Sequence, residues 1–565
     1  MGQLVAKIKS NWILLFVFLL TVWTCLNFLQ AIFTEIHNDE AYYFLYGENL
    51  AWGYFDHPPM VGLIIFLSKL FFNGNLSVRF MTILIQVATI ILCWKIIEEK
   101  LPDSKKVLTF FIITASLIMF QFYGFITTPD VPFLFFTALF LLSYKKFLEK
   151  ESWISVLLFA ISMSGLIYSK YHAFLVIGLI ILSNLKLLLR YKFWIAGILA
   201  LLFLAPHIYW QISMDFPSIK YHIGDRNNGF EWQCFLGYIP NQMVVFNPLT
   251  LCVVIYIMIK HKAIDVFEKG LYFLIIGFLG FFGTLSAFRY VEPHWTIACS
   301  IPIIVLVYRF SMQNNKMLQF VKRWIAPTLL LILIARVILA SGILPERFAF
   351  NGKEKKCKEI ESITGDLPVV FTGSFQLASS YHFFTKRESL LLNSANTRLT
   401  QFDFLQKELD YQGKPVFVCV PVEGKSQQYK TSSRIIEGYF AENFQSVNRV
   451  VIDFEFTKKE FYPGDTLLVD IEIINPSGYD IDFQHPEFPV TCKVGYGSTS
   501  EKRKFEFIDC ELNEPINILP ANGKIRRDLK TVIPDFSPGN FQFLITLTNP
   551  ICSARNSRLI EIKIK

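Results

Sequence analysis

Eleven apolar segments run through the first three-fifths of the chain, at 11–33, 78–97, 107–126, 131–145, 152–168, 172–186, 193–211, 241–260, 270–288, 295–310 and 324–343. A hydrocarbon layer offers no partner to backbone N–H and C=O groups, so apolar segments in series predict membrane-spanning helices. Several fall short of the roughly 20 residues that a perpendicular span needs. After about residue 345 charged and turn-forming residues return and no long apolar run remains. The expected organisation is a helical polytopic membrane domain over 1–344, a soluble α/β module over 345–446 and an immunoglobulin-like β-sandwich over 447–565. The module is read from strand-like runs such as 416–420 beside polar helical stretches, and the sandwich from alternating segments parted by Pro463-Gly464, Pro476-Ser477 and Pro538-Gly539.

The net charge of +8 raises the question of nucleic acid, and its distribution argues against it. Lys and Arg gather in short clusters between apolar runs: Lys95 to Lys106, Lys145 to Lys150, Lys186 to Lys192, Lys260 to Lys269 and Arg309 to Arg323. With a cytoplasmic N-terminus every loop expected inside is basic, which orients eleven spans and places the C-terminal part outside. Lys7 and Lys9 precede the first segment, no small-residue cleavage site follows it, and it reads as a retained anchor. Met60–Phe72, about 13 residues, is too short to cross and reads as a juxtamembrane helix. The ten cysteines lack metal-ligand spacing, and five lie in the soluble part, where a Cys492–Cys510 disulfide is permitted but not required.

This topology collects the unusual polar residues on one side. The first outer loop holds Asp39, Glu40, Asp56 and His57, with Arg79 at its exit. Thr127-Thr128-Pro129-Asp130, Ser169-Lys170-Tyr171-His172, the long loop with Lys220, His222, Asp225, Arg226 and Glu231, and Arg289 with Glu292-Pro293-His294-Trp295 follow on the same face. Carboxylates are costly at a membrane edge, so the Asp39–Glu40 pair invites a functional reading. Each residue also has a structural one. Asp39 or Asp130 suits a helix cap, Lys170 a snorkelling end, and Trp52, Tyr54 and Trp295 an interfacial aromatic belt. Asp56 with His294 offers carboxylate plus imidazole to a divalent metal, but two ligands are too few for a site.

Asp39-Glu40-Ala41-Tyr42-Tyr43, Ala51-Trp52-Gly53-Tyr54-Phe55-Asp56-His57-Pro58-Pro59, Ser77-Val78-Arg79, Thr128-Pro129-Asp130, Ser169-Lys170-Tyr171 and Pro293-His294-Trp295 together resemble the bacterial family 39/83-type glycosyltransferases. These are relatives of the dolichyl-phosphate-mannose protein mannosyltransferases and of the lipid A aminoarabinose transferases. The resemblance covers about residues 10–345. It implies the C-type glycosyltransferase fold, a bacterial inner-membrane location with catalytic loops and C-terminal domains outside, a polyprenyl-phosphate sugar as donor, and no required cofactor. On the matching positions it implies Asp39 as general base, with Glu40, Asp130 and Tyr43 supporting the site or placing the acceptor. Arg79, Lys170, His57, Arg289 and His294 are implied as cations for the lipid phosphate. One departure stands out. Aminoarabinose transferases of this family tend to carry acid-Lys-Pro where this chain has Asp56-His57-Pro58, and a neutral imidazole binds phosphate less strongly than an ammonium group. A transporter or flippase of a lipid-linked saccharide is the competing expectation. It predicts charges within broken spans rather than in outer loops.

Overall fold

The structure, a computed structural model, describes residues 2–224, 232–345, 350–456, 459–498 and 504–565. They form two compact units, Met1–Gly352 and Lys353–Lys565. In the first unit, seven helices are long and apolar enough to cross a membrane: Asn11–Phe33, Leu76–Ile97, Asp130–Glu149, Tyr191–Ser213, Val266–Leu285, Pro293–Gln313 and Asn315–Ala340. Each coincides with an expected span. Residues such as Phe18, Leu202 and Leu331 turn outward as a lipid-facing surface, while Phe110, Phe133, Tyr144, Ile275 and Tyr308 pack inside.

The other four expected spans are shorter or broken, for local reasons. Residues 107–126 divide into Ser104–Ser116 and Ile118–Phe122 because Leu117 is extended. The carbonyls freed there find side chains: Gln121 donates to Ala115 O at 2.9 Å and Gln86 to Phe120 O. Trp153–Ser169 and Ala173–Ser183 have 17 and 11 residues. The segment at 241–260 is bent by 102° between Trp232–Phe246 and Pro248–Lys260. Proline disfavours the α conformation in the residue before it, and Asn247 turns out at φ 67° with its side chain accepting from Leu249 N. With the bent pair counted as one span the total is eight among the described residues. Met60–Lys69 has ten residues, or about 15 Å of helix at 1.5 Å per residue, and cannot cross.

The chain enters through α1 (Gly2–Phe33), turns into α2 (Asn38–Glu48), passes the short α3 (Met60–Lys69) and returns along α4 (Leu76–Ile97). Arg79 of α4 fixes this corner. Its five N–H groups all have partners: Nη1 donates to the carbonyls of Ala31 and Thr34, Nη2 to that of Glu35 and to Glu40, and Nε to Glu40. The orphan carbonyls at the end of α1 thus meet a cation, where the helix dipole favours one.

In the second unit, β1 (Val369–Thr372), β2 (Ser389–Leu392) and β3 (Val416–Val418) form a parallel core in the order β2-β1-β3, extended by antiparallel Ile435–Ala441 and Gln427–Lys430. Helices cover this sheet, which makes it an α/β module. Two further sheets share one apolar core. One is built on Thr491–Ser498 and Gly539–Asn549, the other on Thr466–Ile474 and Lys524–Val532. Along Thr466–Ile474 burial alternates, with Leu467, Val469, Ile471 and Ile473 facing inward, as a period of two demands of a sandwich.

Candidate active site

The corner held by Arg79 presents the acidic pair. His37 caps α2: its Nδ1 accepts from Asp39 N at 3.2 Å, while its own N–H donates to Glu40 at 2.8 Å. The cap is therefore the histidine and not the aspartate. Consecutive residues on a helix point about 100° apart, and the two acids diverge accordingly. Glu40 is fully buried, paired with Arg79 at 2.5 Å and accepting from Thr127 N at 2.9 Å. Asp39 stays 40% exposed, its carboxylate 3.6 Å from His37 Nδ1.

Glu40 also locks the next loop in place. Thr127 donates its N–H to Glu40 and its hydroxyl to Val78 O, so Thr127–Asp130 is tied to both α2 and α4. Asp130 opens its helix without capping it, since its carboxylate turns instead to Lys170 at 2.7 Å and to His294 at 3.8 Å. Lys170 does not snorkel outward. It is 4% exposed, and among the described residues Asp130 is the hydrogen-bond partner of its ammonium.

Tyr43 joins the two halves. Its hydroxyl lies 3.1 Å from His57 Nε2. Burial raises the Tyr43 phenol well above its ordinary value, and the charges of Asp39, Asp56 and Asp130 raise it further. Three carboxylates, two from the first outer loop and one from the start of Asp130–Glu149, thus act on one phenol. Burial, with Asp56 next, likewise raises the Tyr46 phenol, which donates to the Asp56 carboxylate.

The aromatic turn over 51–57 is fastened from outside. His207 Nδ1 meets Trp52 O at 2.6 Å, Ser218 donates to Tyr54 O at 2.9 Å, and His222 Nε2 meets Asp56 O at 3.1 Å. Tyr54 stacks on Tyr46 with ring centres 3.9 Å apart. A Cβ on Gly53 would come within 2.2 Å of the Trp210 ring, so only glycine fits there. Tyr54 is fully buried and Trp295 is 6% exposed, packed against His172 and Phe282, which removes both from an interfacial belt. Trp52 is exposed, as such a belt requires.

The remaining expected cations differ in availability. Arg289 lies over the Trp295 ring and donates to His222 O at 3.4 Å. Arg79 is fully buried with every donor bound to protein, which leaves it no N–H for a lipid phosphate. Asp56 is engaged by Tyr46 and His294 faces Asp130, and no group of three or more metal-ligating side chains occurs among the described residues. Asp225, Arg226 and Glu231 lie outside the described residues. Sequence reasoning missed His207 and Ser218, and also Arg336, which is buried in Asn315–Ala340 and donates to Gln30 and Asn27 of α1. The signal was available for His207 and Arg336, since each is a polar residue within an expected span.

This arrangement, an accessible carboxylate beside a buried acid–cation cluster at the ends of membrane helices, suits group transfer to a nucleophile. Residues 56–210 match the family model described as dolichyl-phosphate-mannose-protein mannosyltransferase. The crystal structure of ArnT from Cupriavidus metallidurans bound to undecaprenyl phosphate superimposes with a TM-score of 0.57 at 14% identity, over 76% of this chain and 98% of that one. The fold is that of a C-type glycosyltransferase. ArnT from the same organism in the apo state gives a TM-score of 0.54 at 12% identity, with the same coverage. No curated protein matches the chain in sequence. Within the C-type glycosyltransferase fold the corner from Thr34 to Glu40 and the loops at Asp130, Lys170 and His294 carry the candidate chemistry.

Proposed function

We propose that this chain is an integral-membrane glycosyltransferase of the bacterial inner membrane. It moves a sugar from a polyprenyl-phosphate donor to an acceptor hydroxyl of a lipid, protein or glycan on the extracytoplasmic face. The observation that carries the reading is the contrast within one helical turn: Glu40 is buried in an ion pair, and Asp39 is left accessible beside the Asp130–Lys170–His294 cluster. The basic inner loops and the undecaprenyl phosphate bound to the structurally similar ArnT support the orientation and the donor class.

In this reading Asp39 takes the proton of the acceptor hydroxyl as its oxygen bonds to the anomeric carbon. The bond from that carbon to the phosphate oxygen breaks, and polyprenyl phosphate leaves with the electron pair. Lys170 is the cation best placed to meet the charge gained there, with His294 on the same Asp130 and His57 and Arg289 as further candidates. Asp130 orients Lys170, and the Tyr43 hydroxyl holds the His57 ring. No step requires a cofactor.

The test is Asp39→Asn in the full chain, reconstituted in vesicles with a polyprenyl-phosphate sugar. A general base contributes about 10²- to 10⁴-fold, so transfer should fall by that factor while donor binding is retained. Normal turnover by the variant would remove the assignment. Donor movement across the bilayer without any transfer would favour the flippase instead.

A further inference from the structure

The second unit has a cleft of about 430 Å³ that the transfer chemistry does not use. It opens where β1 and β2 end, at Thr372-Gly373 and Leu392 to Thr397, and is closed by residues 548–553 of the sandwich. Ligands of parallel α/β sheets bind outside the carboxyl ends of the strands, and this volume lies within the range of small-molecule sites, about 300–1,000 Å³.

Its lining specifies the ligand. The polar members are Thr372, Ser394, Thr397, Thr548, Asn549 and Ser553, and no lining residue is charged. A phosphate, carboxylate or ammonium group would enter without a counter-charge, which a desolvated site penalises. Hydroxyls and one amide, set beside apolar walls, instead match a neutral polyhydroxylated ring, whose edges donate and accept while its C–H faces pack.

We infer that this cleft binds a neutral saccharide unit through the hydroxyls of its lining. The site is separate from the proposed donor site and does not depend on it.

The test uses the full chain in lipid nanodiscs and saturation-transfer NMR. The probes are methyl glycosides of glucose, galactose, mannose and N-acetylglucosamine, neutral trisaccharides, and glucuronate and inorganic phosphate as charged controls. At least one neutral saccharide should bind, and a preference for trisaccharides over monosaccharides would mark a polymeric glycan as its source. Thr548→Val and Thr372→Val each keep the shape and remove a lining hydroxyl. Both should weaken binding tenfold or more, while Lys170→Ala leaves it unchanged. Absence of binding by every neutral probe, unchanged affinity in both cleft variants, or preferential binding of glucuronate or phosphate would each overturn the proposal.

Discussion

The role of Arg79 separates two accounts of the site. As a phosphate ligand it should govern donor affinity; as the clamp of the α1–α2 corner it should govern folding. Neutralising it by Arg79→Gln leaves Glu40 fully buried with only the N–H groups of His37 and Thr127 as partners. Breaking a buried ion pair from one side costs about 3–5 kcal/mol, a large part of a typical stability of about 5–15 kcal/mol. The carbonyls of Ala31, Thr34 and Glu35 lose a donor as well. Arg79→Lys keeps the charge but offers three donors for five acceptor contacts, so about 1.5–3 kcal/mol should be lost for each charge-assisted bond not remade. Glu40→Gln combined with Arg79→Gln removes both charges and should be more stable than Arg79→Gln alone. The assay is thermal unfolding of the purified chain in detergent, with donor binding measured on the same samples. A double variant no better than the single one, or donor affinity lost at an unchanged unfolding temperature, would refute the clamp.

Lys170→Ala should raise the donor KM about ten- to hundredfold, the equivalent of one charge-assisted contact of about 1.5–3 kcal/mol, and a donor titration with reconstituted protein checks it. In the second unit, hydrogen bonds from Ser432, Ser433 and Arg434 hold the Glu359 carboxyl down to about 2. A carboxyl depressed in the folded state stabilises it above its unfolded value, and that contribution is lost as pH falls toward 2. Hydrogen exchange, corrected for intrinsic rates, should therefore show Lys353–Thr364 loosening between about pH 5 and pH 2, less so in Glu359→Gln. Cys510 Sγ lies 3.2 Å from Cys492 O, one position beyond the Lys493–Asp509 register pair. On an extracytoplasmic face a protein disulfide donor should link the two, and mass spectrometry after thiol blocking would find both blocked as free thiols if that sidedness is wrong.

The membrane architecture is legible because apolar runs leave the backbone few choices. The breaks are less so: Leu117 departs from helical geometry within an apolar run, whereas the Asn247-Pro248 pair marks its break in the sequence. The split between Asp39 and Glu40 follows from helical geometry once α2 is known. The surroundings of Arg79 do not, because three of its five bonds go to backbone carbonyls 44 to 48 residues away, which carry no side-chain signature. Lys170 is visible as a charge at a span end, but snorkelling and pairing with Asp130 look the same until the two helices are placed together.

Arg336, buried in the last span, donates to Gln30, Asn27 and Leu26 O of α1 and to Gln121, with Gln30 donating back to its carbonyl. The first helix of this unit is thus completed by its last. Until residue 336 arrives, the amides of α1 have no guanidinium partner in a medium that supplies none. The nascent unit should accordingly stay a target for membrane quality control through nearly its whole translation. A chain stopped before the final span should be cleared rather than accumulate as a smaller working enzyme.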